Sequence, residues 1–166
     1  MAYGACAQAS CSTMTPELVR YKPEYKAAYQ SLSYEWLREY VSVEPEDERI
    51  LNDPEGVVLR GGGQIFFVLL GGVPVGTVSM IPAGEGVFEL AKLAVTARFR
   101  GQKLGRLLME RAIAFARERG AKRILLYTNH KLTAALHLYA ACGFREIPLG
   151  ENKYLESDRK MELDLS

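Results

Sequence analysis

The order of the elements that the sequence predicts indicates an α/β fold, with a mixed sheet covered by helices on both faces. Three strand-like runs in the middle of the chain are joined by short glycine turns, which is typical of an antiparallel meander. Strand, helix, strand, helix and strand patterns then follow one another. The 166 residues suit one domain, which we expect over residues 15–166 after a loose tail at residues 1–14.

The composition predicts a protein without a strong overall charge. Lys and Arg number 21 against 20 Asp and Glu, so we expect neither nucleic acid nor a membrane surface as a partner. The three cysteines form no zinc-binding or disulfide pattern, so we expect no metal and a reducing cytoplasm. The longest apolar run, Ile65 to Leu70, is far shorter than the roughly 20 residues of a membrane-spanning helix. We therefore expect a soluble protein.

The first third of the chain predicts one strand and then helices. Glu17 to Tyr21 alternates briefly, and the proline that follows it favours a position at the sheet edge. From Glu24 to Tyr40, apolar residues recur at three- and four-residue steps, which predicts one or two helices with a buried stripe. Pro45, followed by three acidic residues, indicates another short helix that ends before Pro54.

The predicted meander consists of the strands Gln64 to Leu70, Val73 to Ile81 and Val87 to Val95. The longest predicted helix follows, because leucine, alanine and phenylalanine residues between Lys103 and Arg119 share one face. Glycine at position 120 ends it. The remaining predicted elements are the strand Ile124 to Thr128, the helix Lys131 to Ala141, and the strands Phe144 to Ile147 and Arg159 to Leu165.

The loop between Val95 and the long helix is basic and contains glycine. A strand that enters a helix through such a loop presents unpaired backbone N–H groups at the positive end of the helix dipole, a geometry that binds phosphate. Gly101 and Gly105 allow a close backbone approach, and positive charge comes from Arg100, Lys103 and Arg106. A solvated basic face is the alternative interpretation. The spacing fits neither a P-loop nor a dinucleotide-binding glycine pattern.

Two segments resemble motifs of the GNAT acetyltransferase superfamily. Leu93 to Leu108 looks like its acetyl-CoA motif, written [RQ]-x-x-G-x-[GA], with one departure. Lys103 stands where the pattern prefers glycine, so we expect an ordinary helical backbone there. Asn129 to Phe144 is similar to the second motif, in which an Asn precedes a helix bearing Leu-Tyr and then Gly-Phe. The likeness extends over most of the chain from about Glu17.

The resemblance implies the GNAT fold, with a mixed, mostly antiparallel central sheet, and acetyl-CoA as co-substrate without a metal. The main chain of Leu93 to Val95 would hold the acyl carbonyl and the pantetheine arm. Tyr139 would protonate the departing thiolate, and Glu89 would remove the proton of the amine. The cofactor-binding residues that the resemblance implies are Leu93, Ala94, Val95, Arg100, Gly101, Gln102, Lys103, Leu104, Gly105, Arg106 and Asn129.

Each of these side chains also has a purely structural interpretation. Tyr139 shares a helix face with apolar residues and could be core. Glu89 could be solvated or paired with Lys92, and Asn129 could cap the helix that follows it. Trp36 is expected to pack in the core, although it could line an amine pocket. No role is expected for the two histidines, and the thiol of the Gly-preceding cysteine at position 142 is expected to pack rather than react.

The sequence therefore predicts an N-acetyltransferase in which a primary amine attacks acetyl-CoA directly in a ternary complex. The acceptor is left open among small amines, amino acids, antibiotics and protein N-termini, and so is the oligomeric state, a homodimer included. Two other classes of protein compete with this prediction. One is a non-catalytic acyl-CoA-binding or sensing module, and the other is a small domain that binds nucleotide phosphates.

Overall fold

The computed structural model describes residues 14–166, so the tail expected at residues 1–14 lies outside the described residues except for Met14. Eleven helices and strands follow one another along the chain. They are β1 (Glu17–Arg20), α1 (Lys26–Tyr40), α2 (Pro45–Asn52), β2 (Gln64–Leu70), β3 (Val73–Pro82), β4 (Val87–Val95), α3 (Leu104–Glu118), β5 (Arg123–Thr128), α4 (Thr133–Ala141), β6 (Arg145–Ile147) and β7 (Arg159–Asp164).

The strands form one seven-stranded sheet in the order β1-β2-β3-β4-β5-β7-β6. Only the β4–β5 pair is parallel, and β1 lies at an edge as the sequence predicts. The mixed, mostly antiparallel sheet is confirmed. A π-helical turn at Glu55–Leu59 was not predicted.

Helices cover both faces of the sheet, and each face has its own core. On β2, Phe66 and Val68 pack towards α3, whereas Ile65 and Phe67 pack towards α1 and α2. A strand that is buried on both faces has no polar side to display, which explains why its sequence is a continuous apolar run. The sheet is therefore the middle layer of three.

Two irregularities of β4 create space beside it. The pairing of β4 with β5 ends at Glu89 and Leu125, so the edge of β4 that faces β5 has no strand partner beyond that point. Thr77 of β3 pairs with Ala94 and Ser79 pairs with Ala91, so β4 contains one extra residue. This β-bulge includes Lys92, whose φ is +56°, a left-handed conformation that is uncommon for a residue with a side chain.

Candidate active site

A cleft of about 740 Å³ lies between the end of β4, the start of α3 and the start of α4. Four of its lining side chains are positively charged, and none of those in the described residues is acidic. We call it the basic cleft. The positively charged lining residues are Arg100, Lys103, Arg106 and Lys131. The cleft could therefore hold a large anionic ligand.

The start of α3 presents unused backbone donors to this cleft. The backbone N–H groups of residues 101 to 106 donate to no other described residue, and the first amide to do so in α3 is that of Leu107, which binds the carbonyl of Lys103 at 3.2 Å. Consecutive free amides at the positive end of a helix are suited to phosphate oxygens. The local geometry thus agrees with the phosphate site that the loop predicts.

Lys103 is the N-cap residue of α3 and has φ 61° and ψ 19°. The expectation of an ordinary helical backbone there is wrong. Gly101 has a positive φ as well, because the chain must turn sharply between the extended Arg100 and the first helical residue. A left-handed residue with a side chain costs about 1 kcal/mol. The glycine that the family pattern prefers at this position would avoid that cost.

Arg100 makes most of its contacts with the protein rather than with the cleft. Its Nε donates to the carbonyl of Val95 at 2.9 Å, and its Nη1 lies 3.0 Å from the Tyr40 hydroxyl and 2.7 Å from a carboxylate oxygen of Glu39. Only Nη2 is buried without a partner among the described residues. Arg100 therefore links the loop to α1 and leaves the two N–H donors of Nη2 unused.

Two of the predicted cofactor-binding residues, Gln102 and Asn129, lie outside the lining of the basic cleft, and the other nine belong to it. Gln102 is exposed. The Asn129 side chain donates to the carbonyl of Glu156 at 2.5 Å and accepts from the amide of Lys131 at 2.9 Å. Because the N-cap of α4 is Leu132, the expectation that Asn129 caps this helix is wrong. It shapes the turn before the helix.

A second cavity, of about 100 Å³, lies between α1, β4, β5 and the loop before β7. Its lining includes four carboxylates and one lysine, and we call it the acidic cavity. The charged lining residues are Glu44, Asp47, Glu89, Lys92 and Glu156. Glu44 and Asp47 form the capping box of α2, which places both of them at the cavity.

Glu89 lies at the acidic cavity and is only 4% exposed. Its Oε2 accepts from the Tyr154 hydroxyl at 2.8 Å, and its Oε1 lies 2.6 Å from Nζ of Lys153. The alternatives of a solvated Glu89 and a Glu89–Lys92 pair are both wrong, because Lys92 pairs with Asp47 instead. Glu89 is therefore a buried carboxylate at the cavity, held by one hydroxyl and one ammonium group.

Tyr154 was not singled out in the sequence. It lies in the irregular loop between β6 and β7, and burial together with the negative charge of Glu89 raises its pKa far above the usual value of a phenol. It therefore stays protonated and donates to Glu89. No local pattern marks it, because the contact spans 65 positions of sequence.

Tyr139 lies where the two cavities meet, since it lines both of them. Its side chain is buried, and burial raises the pKa of its hydroxyl to about 12. Trp36 also lines both cavities while packing against the core on the α1 side. Trp36 therefore packs against the core, as expected, and also lines both cavities. The junction carries one phenol that is protonated at neutral pH.

Three further expectations concern the thiol of Cys142, metal binding and membrane-spanning helices. Cys142 is half-buried, and burial raises the pKa of its thiol, which suits packing. Among residues 14–166, no three His, Cys, Asp or Glu side chains are grouped to hold a metal ion. In the same range, no helix is both long and apolar enough to span a membrane.

Curated relatives match a part of the chain. N-acetyltransferase family 8 member 2 from Rattus norvegicus is 29% identical over 93 residues, which cover 53% of this chain and 41% of that protein. Probable N-acetyltransferase family 8 member 5 from Mus musculus is 32% identical over 92 residues, covering 52% and 40%. In these alignments the chain spans about two fifths of the length of each relative.

Solved structures match nearly the whole fold. An acetyltransferase of the GNAT family from Staphylococcus aureus Mu50 superposes with a TM-score of 0.83 at 24% identity, covering 92% of this chain and all of that one (100%). The PaiA N-acetyltransferase from Thermoplasma acidophilum in complex with coenzyme A has a TM-score of 0.69 at 15% identity, covering 91% and 99%. At these identities the likeness concerns the fold.

The family model for the acetyltransferase (GNAT) family matches residues 25–144. That range contains α1, the whole of β4, the basic cleft with its loop, and Tyr139. The chain therefore belongs to the GNAT acetyltransferase family.

Proposed function

We propose that this protein transfers the acetyl group of acetyl-CoA to a primary amine, by direct attack in a ternary complex. The observation that carries the proposal is the position of Tyr139 between a basic cleft and an acidic cavity. An anionic donor and a cationic acceptor would occupy different compartments and meet at one phenol. Acetyl-CoA supplies the thioester, whose carbonyl carbon forms a bond to the amine nitrogen while its bond to sulfur breaks.

The basic cleft fits the donor. The free amides of residues 101 to 106 and the unused Nη2 donors of Arg100 are hydrogen-bond donors of the kind that pyrophosphate oxygens need. Beyond Glu89, the edge of β4 that faces β5 has no strand partner, so the main chain of Leu93 to Val95 is available to a pantetheine arm. The likeness to a structure that contains coenzyme A also supports this assignment.

Two side chains would handle the protons. The amine arrives as an ammonium ion and must lose a proton before its nitrogen can attack. Glu89 would take that proton, directly or through water, from its position at the acidic cavity. Tyr139, which is protonated at neutral pH because burial raises its pKa to about 12, would donate a proton to the departing sulfur. Attack leaves a second surplus proton on the nitrogen, which would pass to the Tyr139 phenolate as the amide forms. Of the two protons that the ammonium ion loses, one then replaces the proton that Tyr139 gave to CoA and the other leaves Glu89 for solvent.

The Tyr139→Phe variant tests this role. It should lower kcat about 100-fold, since positioned acid catalysis contributes at least that much, and leave the Kd for acetyl-CoA nearly unchanged. Phenylalanine keeps the packing, so the melting temperature should hold. Tyr34→Phe is the matched control, because Tyr34 lies on α1 and lines neither cavity. An unchanged kcat in Tyr139→Phe would remove this phenol from the mechanism.

One binding measurement and one activity assay separate the proposal from its rivals. Calorimetry with acetyl-CoA and with ATP should show a clear preference for acetyl-CoA, and tighter binding of ATP would favour the nucleotide-binding class. Release of free CoA, followed across a library of amines, should identify at least one acceptor. If acetyl-CoA binds but no amine in the library releases CoA, the protein is an acyl-CoA-binding module instead.

A further inference from the structure

The acidic cavity contains more negative charge than its own cations neutralise. Asp47 pairs with Lys92, and Glu89 pairs with Lys153. The other two carboxylates, Glu44 and Glu156, form no ion pair with a described residue. Glu44 accepts hydrogen bonds from the backbone amides of residues 155 and 156, and Glu156 accepts from the amide and hydroxyl of residue 42. Hydrogen bonds of this kind hold the carboxylates in place and leave their charge uncancelled.

Two buried hydroxyls at the same cavity lack partners. Ser33 is 2% exposed and Thr128 is 4% exposed, both line the cavity, and neither Oγ of Ser33 nor Oγ1 of Thr128 has a hydrogen-bond partner among the described residues. Buried polar atoms without partners are uncommon in folded proteins and call for an explanation. A polar ligand in the cavity would supply the missing hydrogen bonds.

The strongest donors at the cavity are already committed. Nζ of Lys92 is bound to Asp47, and the Tyr154 hydroxyl is bound to Glu89. An acceptor that carried a carboxylate or a phosphate near its reacting amine would meet negative charge and few free donors. An acceptor with a second positive charge would meet carboxylates and two hydroxyl oxygens that can accept its N–H bonds. The cavity is therefore complementary to a dication.

We infer that the acceptor is a small diamine rather than an amino acid, and that Glu156 and Glu44 bind its second ammonium group. The inference rests on the proposed function, because it assigns the substrate class of the same site. Three compounds with the same four-carbon chain test it. Putrescine carries a second ammonium, butylamine carries a methyl group, and γ-aminobutyrate carries a carboxylate at that end.

With the full chain and saturating acetyl-CoA, kcat/KM should fall from putrescine to butylamine to γ-aminobutyrate, with at least about tenfold between the first and the last. Glu156→Gln removes one negative charge and should lower kcat/KM for putrescine about threefold to tenfold through KM. The value for butylamine should stay nearly constant. Glu151→Gln is the matched control, since this exposed carboxylate lies in the same loop and outside the cavity lining.

Calorimetric titration of putrescine into the protein saturated with CoA separates this inference from the proposed function. Putrescine binding that Glu156→Gln weakens, with no release of CoA from acetyl-CoA by putrescine or by any other amine of the library, would support the dication site and overturn the acetyltransferase proposal. Turnover with γ-aminobutyrate preferred over putrescine would overturn the inference and leave the proposed function intact. Neither binding nor turnover of putrescine would overturn the inference, and CoA release with other amines would then decide the proposed function.

Discussion

The basic cleft and the acidic cavity adjoin each other along β4, yet the chain builds them in different ways. The free backbone amides and positive charges of the cleft come from two short segments, the loop leading into the start of α3 and the residues just before α4. The cavity takes side chains from distant segments, on α1 and α2, β4, the end of β5, α4, and the loop before β7. The family match ends at residue 144, before that loop. The basic cleft is thus built largely from local segments inside the family match, whereas the acidic cavity depends on long-range contacts and lies partly outside that match.

The largest expected effect is a loss of stability caused by a substitution at the acidic cavity. In Asp47→Asn the buried ammonium of Lys92 loses its counter-charge, and removing one partner of a buried pair costs about 3 kcal/mol. Asp47 is 3% exposed, so water cannot easily replace it. Urea unfolding should show the loss, whereas Asp53→Asn, at an exposed site just after α2, should not. The double variant Asp47→Asn with Lys92→Met should recover much of the loss, and no recovery would contradict a charge-based cost.

The next effect concerns chemistry at the same cavity. Glu89→Gln removes the proposed base while keeping an oxygen that accepts from Tyr154, so kcat should fall about 100-fold. The Kd for acetyl-CoA should change little, because Glu89 does not line the basic cleft. Steady-state kinetics and calorimetry measure the two quantities. Glu85→Gln, in the exposed turn before β4, is the control, and an equal loss there would point to a general effect of charge.

On the basic side, Lys131→Ala should weaken acetyl-CoA binding about threefold to tenfold. The effect should shrink as the salt concentration rises, since an exposed charge is screened within about 10 Å at moderate ionic strength. The KM for the amine should not change, because Lys131 lies at the basic cleft and not at the acidic cavity. Calorimetry at two salt concentrations tests this, with the exposed Lys22→Ala as a control. An effect on the KM for the amine larger than the effect on acetyl-CoA binding would contradict the separation of the two sites.

The smallest expected effect isolates the backbone of the loop. Lys103→Gly and Lys103→Ala remove the same charge, so both should weaken acetyl-CoA binding to a similar extent. Only glycine accepts φ near +61° without strain. The glycine variant should therefore be more stable than the alanine variant by about 1 kcal/mol, which urea unfolding resolves. Equal stabilities would mean that the left-handed conformation carries no cost at this N-cap.

The sequence predicted the lining of the basic cleft more completely than that of the acidic cavity, for a physical reason. The local periodicity of the sequence predicts the strand β4 and the helix α3, and the loop that joins them is one contiguous segment. The predicted bounds of β2 and β4 agree with the structure residue for residue. The left-handed Lys103 was missed because a lysine gives no local signal for φ > 0. There, closure of the turn into α3 overrides the preference of the residue.

At the acidic cavity, the sequence singled out Glu89, which lies on a recognisable strand, and offered Trp36 as a possible pocket residue. Tyr154, the partner of Glu89, lies 65 positions further on, and Ser33 lies among the apolar residues on the buried face of α1. The capping box formed by Glu44 and Asp47 follows the pattern of a short helix start, and attention to that pattern would have marked both residues. Which side chains meet around the cavity depends on the tertiary fold.

The opening between β4 and β5 affects how rigidly the two parts of the sheet are joined. Three registered residue pairs join the β1-to-β4 part of the sheet to the β5-to-β7 part, and beyond them the two parts separate. A molecule bound in that gap would stiffen the connection between the two parts, because it could form hydrogen bonds with the free edge of β4 while it contacts α4. Rigidity across the sheet would then depend on whether that gap is occupied.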